Sequence, residues 1–369
     1  MKIGKNDILI ILPLSILLIL GLVMVTSSSI YIADDMTSNP FYFAQRQTLF
    51  VSMGLISMLI FLALPSDFLY RTDWVFMLLS IFLLIILFIP DIGTSVNGSI
   101  RWIRIGLINV QPSEICKFSL ILYISGYSVR RMSEINSLRS FLKPLILLFI
   151  ISILIMAQPD LGSTAIVCIL VVGILFYAGI SFSQLTLLIL LISLLGYLAI
   201  TTSPMRLARV LAFTDPFAVD VVQKAGWQLS NSLISIGQGG WLGVGLGNSF
   251  QKSFFLPEAH TDFIFAILVE ELGIIGGLFL IILFVIMLVG LMSVAFESFK
   301  KGRLFQGYTV FGIFLLISIQ TLLNIGVNIG LLPTKGLTLP FISYGGTSII
   351  IMLSLMGIVF RINNENKIL

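Results

Sequence analysis

The chain has 369 residues, 58% of them hydrophobic and only 10% charged, with a mean hydropathy of +1.10. A soluble globular domain carries about 25% charged residues, so this composition excludes a soluble enzyme and predicts an all-α integral membrane protein. The net charge of +4 is no argument for nucleic acid; what matters in such a chain is the side on which Lys and Arg lie.

About 20 apolar residues cross a bilayer as a helix. Lys2 and Lys5 precede an apolar run beginning at Ile8. That run exceeds the apolar core of a signal peptide, about 7–15 residues, and reads as a retained first span. Ten candidate transmembrane helices follow in order: 8–29, 47–64, 74–89, 112–128, 144–156, 162–180, 185–201, 262–295, 306–332 and 339–361. The fourth opens with Glu114 and Lys117 and the fifth is short, so either also reads as partly re-entrant. The eighth is too long for one perpendicular span and is expected to tilt or to begin outside the lipid. Residues 1–369 form one polytopic domain. Cys116 and Cys168 lie in apolar surroundings and read as small buried hydrophobes rather than a disulfide.

Ten spans place both termini on one side. Compact basic clusters there, such as Lys300-Lys301-Gly302-Arg303, make that side cytoplasmic. Arg46, Arg101, Arg104, Arg206, Arg209, Lys224, Lys252 and Lys335 fall on the other side, against the usual bias, and point to a ligand with negative charge there. Two external loops are long, 90–111 and 202–261. The second, between helices 7 and 8, far exceeds what a connection needs, and its Trp227, Trp241 and phenylalanines predict a segment folded onto the membrane surface. The Gly-rich run 237–248 loosely matches phosphate-loop spacing. No Gly-Lys-Ser/Thr follows it and no strand precedes it, so tight turns and close backbone packing explain the glycines better.

The chemistry concentrates in 254–273, which holds the only histidine and four of the 17 carboxylates. Asp262 stands at the outer start of the eighth helix. It is either a helix-end charge or a general base whose pKa partial desolvation raises toward working pH. Glu258 shares its face if the helix extends back past Ala259, with Pro257 in the first turn. His260 is a rival base with an orienting or hydrogen-bonding role preferred.

Four other stretches supply polar groups. Arg101-Trp102-Ile103-Arg104 precedes Gln111-Pro112-Ser113-Glu114, a helix start in which Lys117 pairs with Glu114, either as a structural salt bridge or, with Arg101, as a pyrophosphate site. Asp160 caps a helix or serves a substrate or metal. Gln320, Asn324 and Asn328 form one stripe, for interhelical hydrogen bonds or a wet cavity. Lys335 stands beside small polar residues, Ser343 among them, in a segment that also reads as close packing. No His or Cys pairs have metal-ligand spacing, although carboxylates and a substrate phosphate can share a hard divalent ion without a motif.

Together these stretches resemble the SEDS family (shape, elongation, division and sporulation) over nearly the whole chain. The matching runs are Pro257-Glu258-Ala259-His260-Thr261-Asp262-Phe263-Ile264-Phe265 with Glu270-Glu271-Leu272-Gly273, Arg101-Trp102 with Gln111-Pro112-Ser113-Glu114, Gln158-Pro159-Asp160-Leu161-Gly162, and Lys335-Gly336 through Ser343-Tyr344-Gly345-Gly346. The first is closer to the division branch than to the elongation branch. Phe254 departs from the acid that some division-branch members carry there.

The resemblance implies a ten-helix bundle and a peptidoglycan glycosyltransferase. Such an enzyme polymerises lipid II, whose sugar is linked through pyrophosphate to a polyprenyl chain, for septal wall synthesis. It implies Asp262 as the catalytic acidic residue and puts Glu114 and Lys117 at positions linked to activity. Arg101, Glu258, His260, Lys335 and Ser343 complete the candidate substrate-binding set; metal ligands stay unassigned. Also implied are a divalent cation (Mg or Mn) without an organic cofactor, a class B penicillin-binding transpeptidase and other divisome membrane proteins as partners, and the cytoplasmic (inner) membrane at the septum. The residues fit. Glycosyl transfer needs a base for the acceptor hydroxyl, and Lys117, Arg101 and Lys335 are cations available to the departing pyrophosphate. A lipid II flippase or transporter would instead need a path open alternately to both faces, and a non-catalytic scaffold would not need Asp262.

Overall fold

The computed structural model of the chain describes residues 4–96, 99–106, 108–219 and 221–368; Lys2 lies outside the described residues. Among them the chain forms α1 (Lys5–Thr37), α2 (Tyr42–Ala63), α3 (Ser66–Ile86), α4 (Pro112–Arg130), α5 (Leu138–Met156), α6 (Leu161–Tyr177) and α7 (Phe182–Thr201). Two short helices, α8 (Pro204–Thr214) and α9 (Trp227–Gly239), lie in the long loop, and α10 (Ile264–Lys300), α11 (Leu304–Asn328) and α12 (Gly346–Ile368) complete the chain. The ten helices outside that loop match the ten expected spans. Eight of them are long and apolar enough to cross a membrane. Of the other two, α6 is apolar but has 17 residues, and α4 carries a buried Glu114 and Lys117. Both α4 and α5, the two read as candidates for re-entrance, are continuous helices of 19 residues. This is a multi-pass membrane protein.

The ends of the chain meet at one end of the bundle. Asn363 donates to Asp7 at 2.5 Å, Asn6 to Glu297 at 3.3 Å, and the Ser66 amide to Glu365 at 3.1 Å. The opposite end is built from the long connections. Residues 93–110 add a small antiparallel sheet to the expected all-α class: β1 (Gly93–Val96), β2 (Ser99–Ile105) and β3 (Ile108–Val110), in that order, with Gly93 opposite Ile103 and Ile103 opposite Val110. The run Ser-Ile-Arg-Trp-Ile-Arg-Ile of β2 is rich in isoleucine and alternates with polar residues for part of its length, the period of a strand with one face covered.

The helix α10 is broken. Gly273 has φ 73° and ψ 179°, inside what is otherwise one run of 37 residues. The break frees carbonyls and amides that an apolar setting does not leave unpaired. Residues 240–245 satisfy them: the Ile274 amide donates to the Gly240 carbonyl at 2.9 Å, and the amides of Val244 and Gly245 donate to the carbonyls of Glu270 and Glu271 at 2.9 and 3.0 Å. Close approach requires glycine here, since a Cβ at Gly243 would stand 2.2 Å from the Glu271 carbonyl oxygen. Gly239 and Gly243 are thus close backbone packing, and Gly240, Gly243, Gly245 and Gly247 take turns of positive φ. The last span also starts later than expected, at Gly346 rather than residue 339, because 334–345 stays irregular and its amides and hydroxyls tie the site together.

Candidate active site

The turn that carries Asp262 is not helical. Glu258 has φ 57° and α10 begins only at Ile264, so the helix does not extend back to Glu258, and Pro257 is not in its first turn. The Glu258 carbonyl instead accepts from the amides of Thr261 and Phe263, each at 3.2 Å, and its carboxylate accepts from the Thr261 hydroxyl at 2.8 Å. Asp262 leaves this compact turn two residues before the helix.

Three elements hold the turn in place. From α11, the Asn324 and Asn328 amides donate to the Asp262 carbonyl at 2.8 and 3.0 Å. Asn324 also donates to the Leu337 carbonyl at 2.6 Å, and Asn328 accepts from the Ala266 amide at 3.1 Å. Both asparagines are buried. The polar stripe on α11 therefore secures the loop before α10, which is more specific than general helix–helix bonding. Gln320, one turn earlier, is buried with its carbonyl oxygen unpartnered among the described residues. From the irregular segment, Ser343 donates its hydroxyl to the Thr261 carbonyl at 2.6 Å and accepts from the Leu339 amide at 2.8 Å, while the Tyr344 amide donates to the His260 carbonyl at 2.9 Å. Gln47 of α2 donates to the Ser343 carbonyl at 3.2 Å. Ser343, a candidate substrate contact, is thus placed under the turn with its hydroxyl engaged on backbone.

The electrostatics single out Asp262. Its side chain keeps some exposure, yet the surrounding protein pushes its pKa up to about 7, burial first and the neighbouring Glu258 carboxylate second, against the opposing pull of Arg101 and Arg209. Lys335 is driven down to about 8 by burial and by Arg206 and Arg209. His260 packs its ring 4.6 Å from Phe43 and 5.7 Å from Tyr344, and burial lowers its pKa although Glu258 opposes this. Packed between two aromatic rings and made less basic by burial, His260 fits the orienting role better than that of the base. Gly336 leaves the space that the Asp262 carboxylate occupies: a Cβ there would lie 2.9 Å from Asp262 Oδ2.

The remaining candidates fall into two places. Arg101 lies on the site side, donating to the Pro159 carbonyl at 2.8 Å and standing 3.7 Å from Asp160. Asp160 is the N-cap of α6, accepting from the Ser163 amide at 3.1 Å, so it does both the capping and the charge pairing. Glu114 and Lys117 form a buried ion pair of 2.5 Å on α4, and neither is among the charges that act most on Asp262. Sequence reasoning placed Arg206 and Arg209 only as external bases. The structure brings them, on α8, close enough for both to act on Lys335 and for Arg209 to act on Asp262. Their i, i+3 spacing after Pro204 was the available signal. Among the described residues no three His, Cys, Asp or Glu side chains converge to hold a metal.

Comparison with known proteins agrees with this arrangement. Residues 7–368 match the family FTSW_RODA_SPOVE, described as Cell cycle protein. Similar curated proteins include the "Probable peptidoglycan glycosyltransferase FtsW" of Hahella chejuensis, 43% identical over 94% of this chain and 87% of that protein. The protein of the same name from Saccharophagus degradans is 43% identical over 98% and 93%. Among solved structures, a peptidoglycan synthase complex coordinating polymerization and crosslinking aligns with TM-score 0.78 at 24% identity, covering 96% of this chain and 97% of that one. The Thermus thermophilus rod shape determining protein RodA aligns with TM-score 0.69 at 23% identity, covering 96% of each. With the motif order, the bundle and a match across nearly its whole length in agreement, the chain belongs to the SEDS family, the FtsW/RodA/SpoVE cell cycle proteins.

Proposed function

We propose that the chain is a peptidoglycan glycosyltransferase of the division branch that polymerises lipid II into glycan strands. The observation that carries this reading is the Asp262 carboxylate, fixed through its own backbone by Asn324 and Asn328 and raised to about 7. A carboxylate so poised can take a proton near neutral pH. The names of the relatives, peptidoglycan glycosyltransferase FtsW, support the reaction and the branch.

In the proposed reaction the acceptor sugar's 4-hydroxyl oxygen bonds to the anomeric carbon of the donor. The bond from that carbon to the polyprenyl pyrophosphate breaks, with inversion. The hydroxyl proton passes to Asp262, and the pyrophosphate leaves with the electron pair. Arg101, Arg209 and Lys335 are the cations placed to offset the charge that develops on it. Glu258 keeps Asp262 basic, while His260 and Ser343 set the turn. Lys117 and Glu114 act deeper, on substrate held within the bundle. A divalent cation is the proposed cofactor, and when bound it would supply charge stabilisation to the leaving group. A class B penicillin-binding transpeptidase and other divisome proteins are the proposed partners, with both termini cytoplasmic and the protein at the septum of the inner membrane.

The test is conversion of labelled lipid II by the purified chain with its transpeptidase partner. Polymer sensitive to a muramidase is expected. Trans-bilayer movement of lipid II without any polymer would overturn the reading in favour of a flippase.

A further inference from the structure

Glu270 and Glu271 are consecutive, almost fully buried carboxylates on an apolar helix, three and two residues before its break. Such groups are costly inside a membrane protein and call for a function. Successive helical residues point about 100° apart, and these two clasp the same segment from different sides. Glu270 accepts from the hydroxyls of Ser235 and Ser249, each at 2.6 Å, and from the amides of Phe250 and Gln251 at 2.8 and 3.4 Å. Four donors fill the lone-pair positions of one carboxylate. Glu271 meets the Lys252 ammonium at 2.7 Å and the Ser27 hydroxyl of α1 at 2.6 Å. Lys252 spends its other donors on the Gly247 carbonyl at 2.7 Å and on Ser27 at 3.0 Å.

The clasped segment, 247–252, leads directly into the turn 257–262. Among the described residues Glu271 is the one counter-ion of Lys252. We infer that Glu270 and Glu271, with Lys252 and Ser27, are positioning residues for Asp262: they moor the strand of chain that delivers the catalytic turn to α1, α9 and α10. The inference rests on the reading of Asp262 as the base. Its physical logic is that a strap of backbone entering an apolar bundle has amides to satisfy, and that the mooring fixes how deeply Asp262 is surrounded by protein. Loosening it admits water to the turn, so the base loses both its aim and its elevated protonation.

The experiment compares pH–rate profiles of lipid II polymerisation by the full chain with its transpeptidase. The variants are Glu270→Gln, Glu271→Gln, Ser249→Ala and the double Lys252→Met/Glu271→Met, with Asp262→Ala as control. The Gln variants should lose about tenfold in kcat with KM little changed, and their acid limb should move down by about one pH unit. Ser249→Ala, which leaves no buried charge unpaired, should move the limb the same way by less. The double variant replaces a buried pair by apolar side chains of similar size, which is often tolerated, and should fold yet keep an acid limb below that of wild type, since the clasp is gone. Rate loss with an unmoved acid limb in the Gln variants and in Ser249→Ala would overturn the inference, because a merely structural defect behaves so. Should a Gln variant fail to fold, Ser249→Ala decides alone: a wild-type limb rejects the mooring. Polymer from Asp262→Ala would instead reject the underlying assignment of the base.

Discussion

The Asn324 side-chain amide donates to the backbone carbonyl of Asp262 at 2.8 Å, from a helix 62 positions further along the chain. The turn is therefore held through the backbone of Asp262, and its carboxylate takes no part in that bond. Replacing Asn324 by Leu removes the donor to two carbonyls, those of Asp262 and Leu337. Asn328 still donates to the Asp262 carbonyl, so the cost falls on that of Leu337, and a buried carbonyl left unpaired costs about 1–3 kcal/mol. We expect a lower thermal midpoint in detergent and a fall in kcat larger than any change in KM, both read from the purified variant.

The pH dependence follows from the raised Asp262. A base with a pKa of about 7 is ionised above that value and protonated below it. The polymerisation rate should fall tenfold per pH unit below about 7 and flatten above it. The sign for stability is the reverse. The folded chain holds the proton more tightly than the unfolded one, so stability is lost as pH rises through about 7. Asp262→Asn should consequently melt at a higher temperature than wild type at pH 8, with the difference gone at about pH 4, while remaining inactive. Parallel melting curves at the two pH values check this.

Gly336→Ala tests the space beside the carboxylate. The added Cβ would approach Asp262 Oδ2 to 2.9 Å, and displacing a reacting group by about 1 Å can cost about 10²-fold. The expected result is a fall in kcat of at least tenfold at an unchanged thermal midpoint.

The Glu114–Lys117 pair yields a stability prediction separable from activity. Lys117→Met leaves Glu114 buried without its partner, a change worth about 3–5 kcal/mol. The double variant with Glu114→Gln should regain most of the thermal midpoint. It should stay inactive in polymerisation if the pair holds substrate as proposed; recovered activity would reduce the pair to a structural bridge.

Much of this was legible in the sequence because hydropathy and local spacing act over short distances. The ten helices follow from apolar runs, the Asp160 cap from Asp-Leu-Gly-Ser, and the Glu114–Lys117 bridge from its i, i+3 spacing. The stripe Gln320, Asn324 and Asn328 announced polar bonding but not its target, since nothing local says that a helix side chain will reach a carbonyl 62 positions away. The same holds for Lys252, which reads as an external base until Glu271 and Ser27 surround it. The turn at Glu258 defeated the helical reading because tertiary partners, Ser343 and Tyr344 among them, fix its backbone more strongly than Pro257 and the following apolar run do. The sheet of 93–110 hid in a loop whose alternation covers few residues.

The most direct measurement is glycan synthesis from labelled lipid II by the purified chain with its transpeptidase partner and a divalent metal, wild type beside Asp262→Ala, resolved as ladders on a gel. The account predicts ladders from wild type and none from the variant, with both proteins equally folded. Equal ladders from both would contradict it and pass the role of base to Glu258 or His260.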